Sequence, residues 1–390
     1  MKSIRDFDLQ DKRVLVRVDF NVPMNGSQIT DDSRIKRALP TLEYIRSRGG
    51  KLIVCSHLGR PKGQRVDIFS LAPVAGHLAD LLDCSVRHAP DCIGDAVVRQ
   101  TEEMQPGDVL LLENLRFHDG ETENDPHFSA QLARMADVYI NDAFAVSHRY
   151  HASIVGIPQI ISEKGAGFLL QKEIDSFHQA MDEPIRPLVA LIGGAKVSSK
   201  LEALKHMLDR VDRMIIGGAM ANTFLKSQGV HMGASLVEYD LLDTAREFVR
   251  TADVKGVKLY MPFDFVVADR FDARSVVKNV TFRDIPDSWL ALDIGPATTY
   301  YFQEALADAK TIVWNGPMGA FEMDPFARGT MAICHTIASS HALSITGGGD
   351  SNAAVKKAGE EKNISYMSTG GGAFLHLMEG RELPGVKALT

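Results

Sequence analysis

PLVALIGGAKVSSKLEALKHMLDRVDRMIIGGAM, residues 187–220, contains the repeating unit of the fold. An apolar run ends on Gly193 and Gly194. A segment with apolar residues at helical spacing follows, and a second apolar run ends on Gly217 and Gly218. A strand that is apolar at nearly every position needs cover on both faces, which is the environment of a parallel sheet between helices. The unit therefore reads as strand, helix, strand.

The alternation continues in both directions. VLVRVDF, KLIVCSHL, DVLLLENL and DVYINDAF precede it, and KLYMPFDFVVAD, TIVWNGPM, ALSITGGG and ISYMSTGGG follow. DDSRIKRALPTLEYIRSR, DPHFSAQLARMAD and VEYDLLDTAREFVRTA have helical periodicity. At 390 residues the chain is too long for one ordinary core and suits two. The expected fold is α/β: two similar lobes, each a mainly parallel sheet covered by helices on both faces, Rossmann-like and three-layered. The first lobe is placed at 1–168 with a C-terminal tail from about 373 to 390, and the second at 187–372. Residues 169–186 form an interdomain helix and hinge: Lys164 to Met181 reads as one helix, which EPIRP at 183–187 breaks.

Composition excludes several classes. With a net charge of -7, the surface as a whole repels nucleic acid and anionic membranes. No apolar stretch approaches the roughly 20 residues of a membrane helix. Cys55, Cys84, Cys92 and Cys334 have no metal-ligand or redox-motif spacing and read as reduced, mostly buried thiols. MKSIRDFDLQDKR lacks an apolar signal core, so a cytoplasmic protein is expected, working as a monomer. Residues 1–65 run against the overall charge, with fourteen Lys and Arg against seven Asp and Glu. That points to a local anion site or to a solvated basic face.

In such sheets ligands bind at the carboxyl ends of strands. In the first half these ends carry Asp19 and Asn21, His57 and Arg60, Arg116 and, a little further on, Arg149; in the second half they carry glycines. The first lobe reads as a guanidinium-lined cup for a small anion, and the second as a glycine-floored cup that a nucleotide approaches closely. Asp19 and Asn21 with Arg34, which opens the next helix, form either a carboxylate- and hydroxyl-binding set or a turn. In SHLGRP, His57 and Arg60 flank a glycine, and an Arg fork suits phosphate. In GGAKVSSK two glycines are expected to open a helix, which puts Lys196 and Lys200 on one helical face as a phosphate cradle. In GGGDS a helix begins near Asp350 and Ser351, and Asp350 serves a bound Mg2+, the helix N-cap, or both. Glu322, in WNGPMGAFE, is placed to accept ribose hydroxyls. Neither a P-loop nor a G-x-G-x-x-G fingerprint is present.

Ten runs in one order, RVDFNVP, SHLGRP, LLENLRFH, NDAFAVSHR, GGAKVSSK, IIGGAMANTF, DIGP, WNGPMGAFE, GGGDS and STGGGAFL, resemble those of phosphoglycerate kinases across nearly the whole chain. The resemblance implies phosphoryl transfer between 1,3-bisphosphoglycerate with ADP and 3-phosphoglycerate with ATP, in line and after lobe closure, with Mg2+ accompanying the nucleotide. It assigns Asp19, Phe20, Asn21, Arg34, His57, Leu58, Gly59, Arg60, Arg116 and Arg149 to the phosphoglycerate site. Lys200, Glu322, Gly347, Gly348, Gly349, Asp350 and Ser351 fall to the nucleotide, with Asp350 on the metal. Arg34, Lys196, Gly371 and Gly372 are the catalytic set. Ser351 stands where the family usually has Thr, and Met318 and Ala320, beside the expected adenine pocket, where it usually has Val. Two other readings are a kinase that forms an acyl phosphate on another small carboxylate, and a two-lobed solute-binding protein.

Overall fold

In the computed structural model, which describes all residues from Met1 to Thr390, the chain divides into two units. One is Met1–Asp175 with Glu382–Thr390, and the other is Ser176–Arg381. The first unit is built on six parallel strands in the order Val86–His88, Val109–Leu111, Lys51–Cys55, Arg13–Arg17, Val138–Asn141, Lys164–Ala166. Its central strands are buried on both faces: Val14, Leu15, Val16, Leu52, Ile53 and Val54 have no exposure. Helix Ser33–Ser47 covers one face by burying Ile35, Ala38, Leu42 and Ile45, residues three or four apart.

The second unit repeats the plan with six parallel strands, in the order Lys258–Tyr260, Arg213–Ile216, Leu188–Ile192, Thr311–Asn315, Leu343–Thr346, Tyr366–Met367. It adds an antiparallel sheet in which Asp264–Ala268 lies between Val277–Thr281 and Leu290–Ile294. In both parallel sheets the chain fills one side of its first strand and then crosses to the other; in the first sheet Val86–His88 takes the edge before Val109–Leu111 inserts inside it. The crevice at that reversal lies after Arg17 and Asn141 in the first unit, and after Ile192 and Asn315 in the second. Open α/β sheets bind ligands at such a reversal.

Three local expectations are corrected. Lys164 to Met181 is not one helix: Lys164–Ala166 is an edge strand paired with Val138–Asn141, and the helix is Phe168–Met181. The buried Asp142 sets this break. Its Oδ1 accepts the amides of Leu169 (2.8 Å) and Leu170 (3.1 Å) and fills the space that a Cβ on Gly167 would need. KLYMPFDFVVAD is two strands, because Pro262 offers no N–H to a ladder. Its second half goes to the antiparallel sheet. GGAKVSSK is a turn, and the helix begins only at Leu201. Gly194 takes a positive φ of 114°, and Ser199 Oγ donates back to the Lys196 carbonyl, so local bonds replace the first helical turn.

At the C-terminus, Gly371–Met378 is a helix of the second unit. Only Glu382–Thr390 goes with the first, where the Gly385 amide donates to the Ser147 carbonyl at 2.9 Å.

Candidate active site

The first unit gathers positive charge at the end of its central strand. Arg17, fully buried in that strand, uses its guanidinium three ways: Nε donates to Ser153 Oγ (2.9 Å), Nη1 to the Val18 carbonyl, and Nη2 to His57 Nδ1 (3.1 Å). An arginine can only donate, so Nδ1 of His57 is the acceptor and Nε2 carries the hydrogen. Burial and the neighbouring Arg17 and Arg116 hold the His57 pKa well below 6.5, and the ring stays neutral. Glu121, also fully buried, accepts from Ser153 through both its amide (2.9 Å) and its hydroxyl (2.7 Å) and balances this interior cation.

Around this frame Arg34 pairs with Asp19, and Asp19 Oδ1 lies 3.8 Å from His57 Nδ1. Asn21 Oδ1 accepts the Gly59 amide at 2.9 Å, and Arg116 Nη1 donates to the Gly59 carbonyl at 2.8 Å. Asn114 holds the same loop through the Leu58 carbonyl at 2.7 Å. Burial, helped by repulsion from Arg17 and Arg149, brings the Arg116 pKa down to about 10. The Nε–H groups of Arg116 and Arg149 are buried and donate to no partner. Buried donors left unpaired are costly, and an anion bound here satisfies them. Asp19, Asn21, Arg34, His57, Leu58, Gly59 and Arg116 are thus linked, directly or through one loop, and Arg149 stands beside Arg116. Phe20 is buried, its amide held by Ser56 Oγ and its carbonyl by the Val22 amide, both at 2.8 Å, so it shapes the backbone of the cup and presents no free polar group. Arg60 is exposed and is tied in by none of these bonds.

In the second unit Gly193 and Gly194 follow one strand of the crevice, and Gly316 and Pro317 the other. The Gly193 amide donates to the Asn315 carbonyl (3.0 Å) and the Gly194 amide to the Pro317 carbonyl (3.1 Å). The glycines here serve the packing of turn on turn. A Cβ on Gly316, whose φ is 102°, would sit 2.2 Å from the Gly193 carbonyl oxygen. Gly316→Ala is accordingly expected to destabilise the protein by about 1–3 kcal/mol, read from denaturant unfolding. An unchanged midpoint would show that this turn is slack.

Lys200 bends back into the crevice. Its Nζ donates to the carbonyls of Gly193 (2.7 Å) and Asn315 (3.0 Å), and burial brings its pKa down to about 8. Lys196 is exposed on the turn, within the field of Glu238, so the two lysines do not share a helical face. Two helix N-termini adjoin here. Helix Gly349–Ala358 starts after Gly348, helix Gly371–Met378 after Gly370, and a Cβ on Gly371 would lie 3.0 Å from Gly348 Cα. Free first-turn amides and the helix dipoles favour an anion at this junction, where Gly349, Gly371 and Gly372 lie. Asp350 lies in the first helical turn and Gly348 is the N-cap, which removes the capping role for Asp350. The Ser351 hydroxyl is engaged within the protein: its buried Oγ accepts the Gly316 amide (2.7 Å) and donates to the Gly347 carbonyl (3.0 Å), which leaves the first-turn backbone for a ligand. Gly347 is likewise buried, against Phe374.

Beside the glycine turns a cavity of about 510 Å³ is lined by Ala219, Leu236, Leu292, Pro317 and Met318, with Glu322 and Asp350 also on its wall. Its size and apolar lining suit a flat heterocycle, with carboxylates for hydroxyls or a cation. Arg17, which frames the cup, is absent from the sequence-based set: a charge in an apolar strand marks it as unusual, but its partners come together only in the fold.

A doubled parallel α/β architecture, with an arginine cup in one unit and a glycine-turn anion site beside an apolar cavity in the other, defines a phosphotransferase of two units. Residues 4–381 match the family model described as phosphoglycerate kinase. The chain is 65% identical over 390 residues to the phosphoglycerate kinase of Desulfotalea psychrophila, covering 100% of both. It is 55% identical to that of Geobacter metallireducens over 98% of this chain and 96% of the relative. The solved phosphoglycerate kinase of Coxiella burnetii superposes with a TM-score of 0.92 at 40% identity, over 100% of this chain and 98% of that one. The chain belongs to the phosphoglycerate kinase family.

Proposed function

We propose that the first unit holds 3-phosphoglycerate or 1,3-bisphosphoglycerate, that the second holds ATP or ADP, and that the γ-phosphoryl group passes between the sugar-acid carboxylate and the nucleotide. In the forward sense a carboxylate oxygen attacks the γ-phosphorus of ATP, and the bond from that phosphorus to the ADP oxygen breaks. The nucleophile is already ionised at neutral pH, so no proton is moved and no general base is required. The protein supplies position and positive charge. Arg116, Arg149 and the neutral His57 hold the anion; Lys200 and the amides after Gly348 hold the nucleotide phosphates; Glu322 takes the ribose. Asp350, an exposed carboxylate on the cavity wall beside the phosphate amides, fits a hard, oxygen-seeking ion. Mg2+ bound there supplies neutralisation of phosphate charge. In-line transfer needs the reacting atoms about 3–3.5 Å apart and water excluded, which we assign to ligand-driven closure.

The unpaired, buried Nε atoms of Arg116 and Arg149 carry this reading of the first unit. Calorimetric titration tests it. Arg116→Ala is expected to weaken 3-phosphoglycerate binding at least tenfold while MgADP binding stays as in the wild type. Equal loss of both ligands, or of neither, contradicts the assignment.

A further inference from the structure

The strands Val86–His88 and Val109–Leu111 are parallel neighbours with Arg87 opposite Leu110, so the loops that leave their carboxyl ends emerge side by side. One loop carries Asp91 and Cys92, the other His118. A carboxylate oxygen of Asp91, the sulfur of Cys92 and a ring nitrogen of His118 all lie within 4.8 Å of one another. We propose that Asp91, Cys92 and His118 bind one Zn2+-type transition-metal ion, at a site separate from the nucleotide's Mg2+.

Carboxylate oxygen, thiolate sulfur and imidazole nitrogen are the donors this ion takes, with three protein ligands and a water completing a tetrahedron. Bonds of about 2.0–2.3 Å place the donors of a tetrahedral site roughly 3.3–3.7 Å apart. His118 Nε2 and Asp91 Oδ1 now stand 2.7 Å apart and would open slightly to admit an ion. The backbone around the set is fixed. Arg65 donates to the Pro90 carbonyl at 2.7 Å, and the His118 ring packs on Phe128 with centroids 5.4 Å apart. Cys92 is buried, while the Asp91 and His118 side chains are 41% and 31% exposed, which leaves a route in from solvent. On binding, the Cys92 thiol releases its proton to solvent, and no electron changes hands. A thiolate and an imidazole discriminate against Mg2+. The spacing of the cysteines in sequence gives no sign of the site, because the third ligand arrives from the next strand.

The test titrates chelator-treated full-length protein, free of nucleotide, with Co2+ and then Zn2+. The expected result is a near-ultraviolet thiolate-to-cobalt absorption that saturates at one ion per chain, is abolished by Zn2+ and survives excess Mg2+. Cys92→Ser should remove the band, and His118→Asn should weaken Co2+ binding at least tenfold, with unfolding midpoints unchanged. If Cys92→Ser fails to fold, the partly exposed His118→Asn decides alone. Absence of the band in the wild type, or a band and affinity unaltered by His118→Asn, overturns the proposal.

Discussion

Arg34→Ala is expected to lower kcat by about 10³-fold or more while nucleotide affinity stays near that of the wild type. An arginine that stabilises charge on a transferring phosphoryl group is worth on the order of 10³–10⁵ in rate. Arg34 stands in the first turn of helix Ser33–Ser47, its side chain 37% exposed and held by the Asp19 carboxylate. The contrast with its neighbours is physical. Arg17 is consumed by three protein acceptors, and Arg116 spends one nitrogen on the Gly59 carbonyl. Arg34 is 37% exposed and spends Nη1 on the Asp19 carboxylate, so part of its guanidinium faces solvent and can turn toward a ligand. Steady-state kinetics check this. A variant that keeps more than about a tenth of wild-type kcat would remove Arg34 from the transition state.

The two lysines of GGAKVSSK should separate cleanly. Lys200→Ala is expected to raise KM for the nucleotide, because Lys200 is pinned in the crevice on the Gly193 and Asn315 carbonyls and, in the proposed site, meets a ground-state phosphate. Lys196→Ala is expected to lower kcat, by about 10²-fold or more, because an unpinned ammonium can follow the moving group. The opposite split would mean that the roles are exchanged. The pH dependence carries a further sign. Lys200 is a cation below its pKa of about 8 and loses that charge above it, so kcat/KM for the nucleotide should fall as pH rises through 8. Bound phosphate favours the charged lysine, so the fall in kcat should lie at higher pH. Lys200→Met should abolish the fall in kcat/KM near 8.

The sheets were legible because their central strands are apolar at almost every position, a pattern only a doubly covered strand requires. GGAKVSSK misled because its lysines and the SSKLEALK that overlaps it have good helical spacing. What undoes the helix is the positive φ at Gly194 and the serine hydroxyl bonds, which spacing does not encode. Lys164–Ala166 was hidden because a three-residue edge strand leaves no periodic signal, and its boundary depends on Asp142, distant in sequence. The motif residues of the anion cup could be read at strand ends. Arg17 could not, because its partners His57 and Ser153 and the counter-charge Glu121 come together only through the fold. Ser351 was legible as a hydroxyl in a glycine turn, but its bonds to the Gly316 amide and the Gly347 carbonyl, which join two turns, were not.

The most direct measurement is a coupled assay with purified protein, 3-phosphoglycerate, MgATP and a dehydrogenase that reduces the acyl phosphate with NADH. The expected result is NADH oxidation that requires all of 3-phosphoglycerate, ATP and Mg2+ and falls with Arg34→Ala. No turnover with 3-phosphoglycerate, or turnover equally fast with another small carboxylate in its place, would contradict transfer to this acceptor.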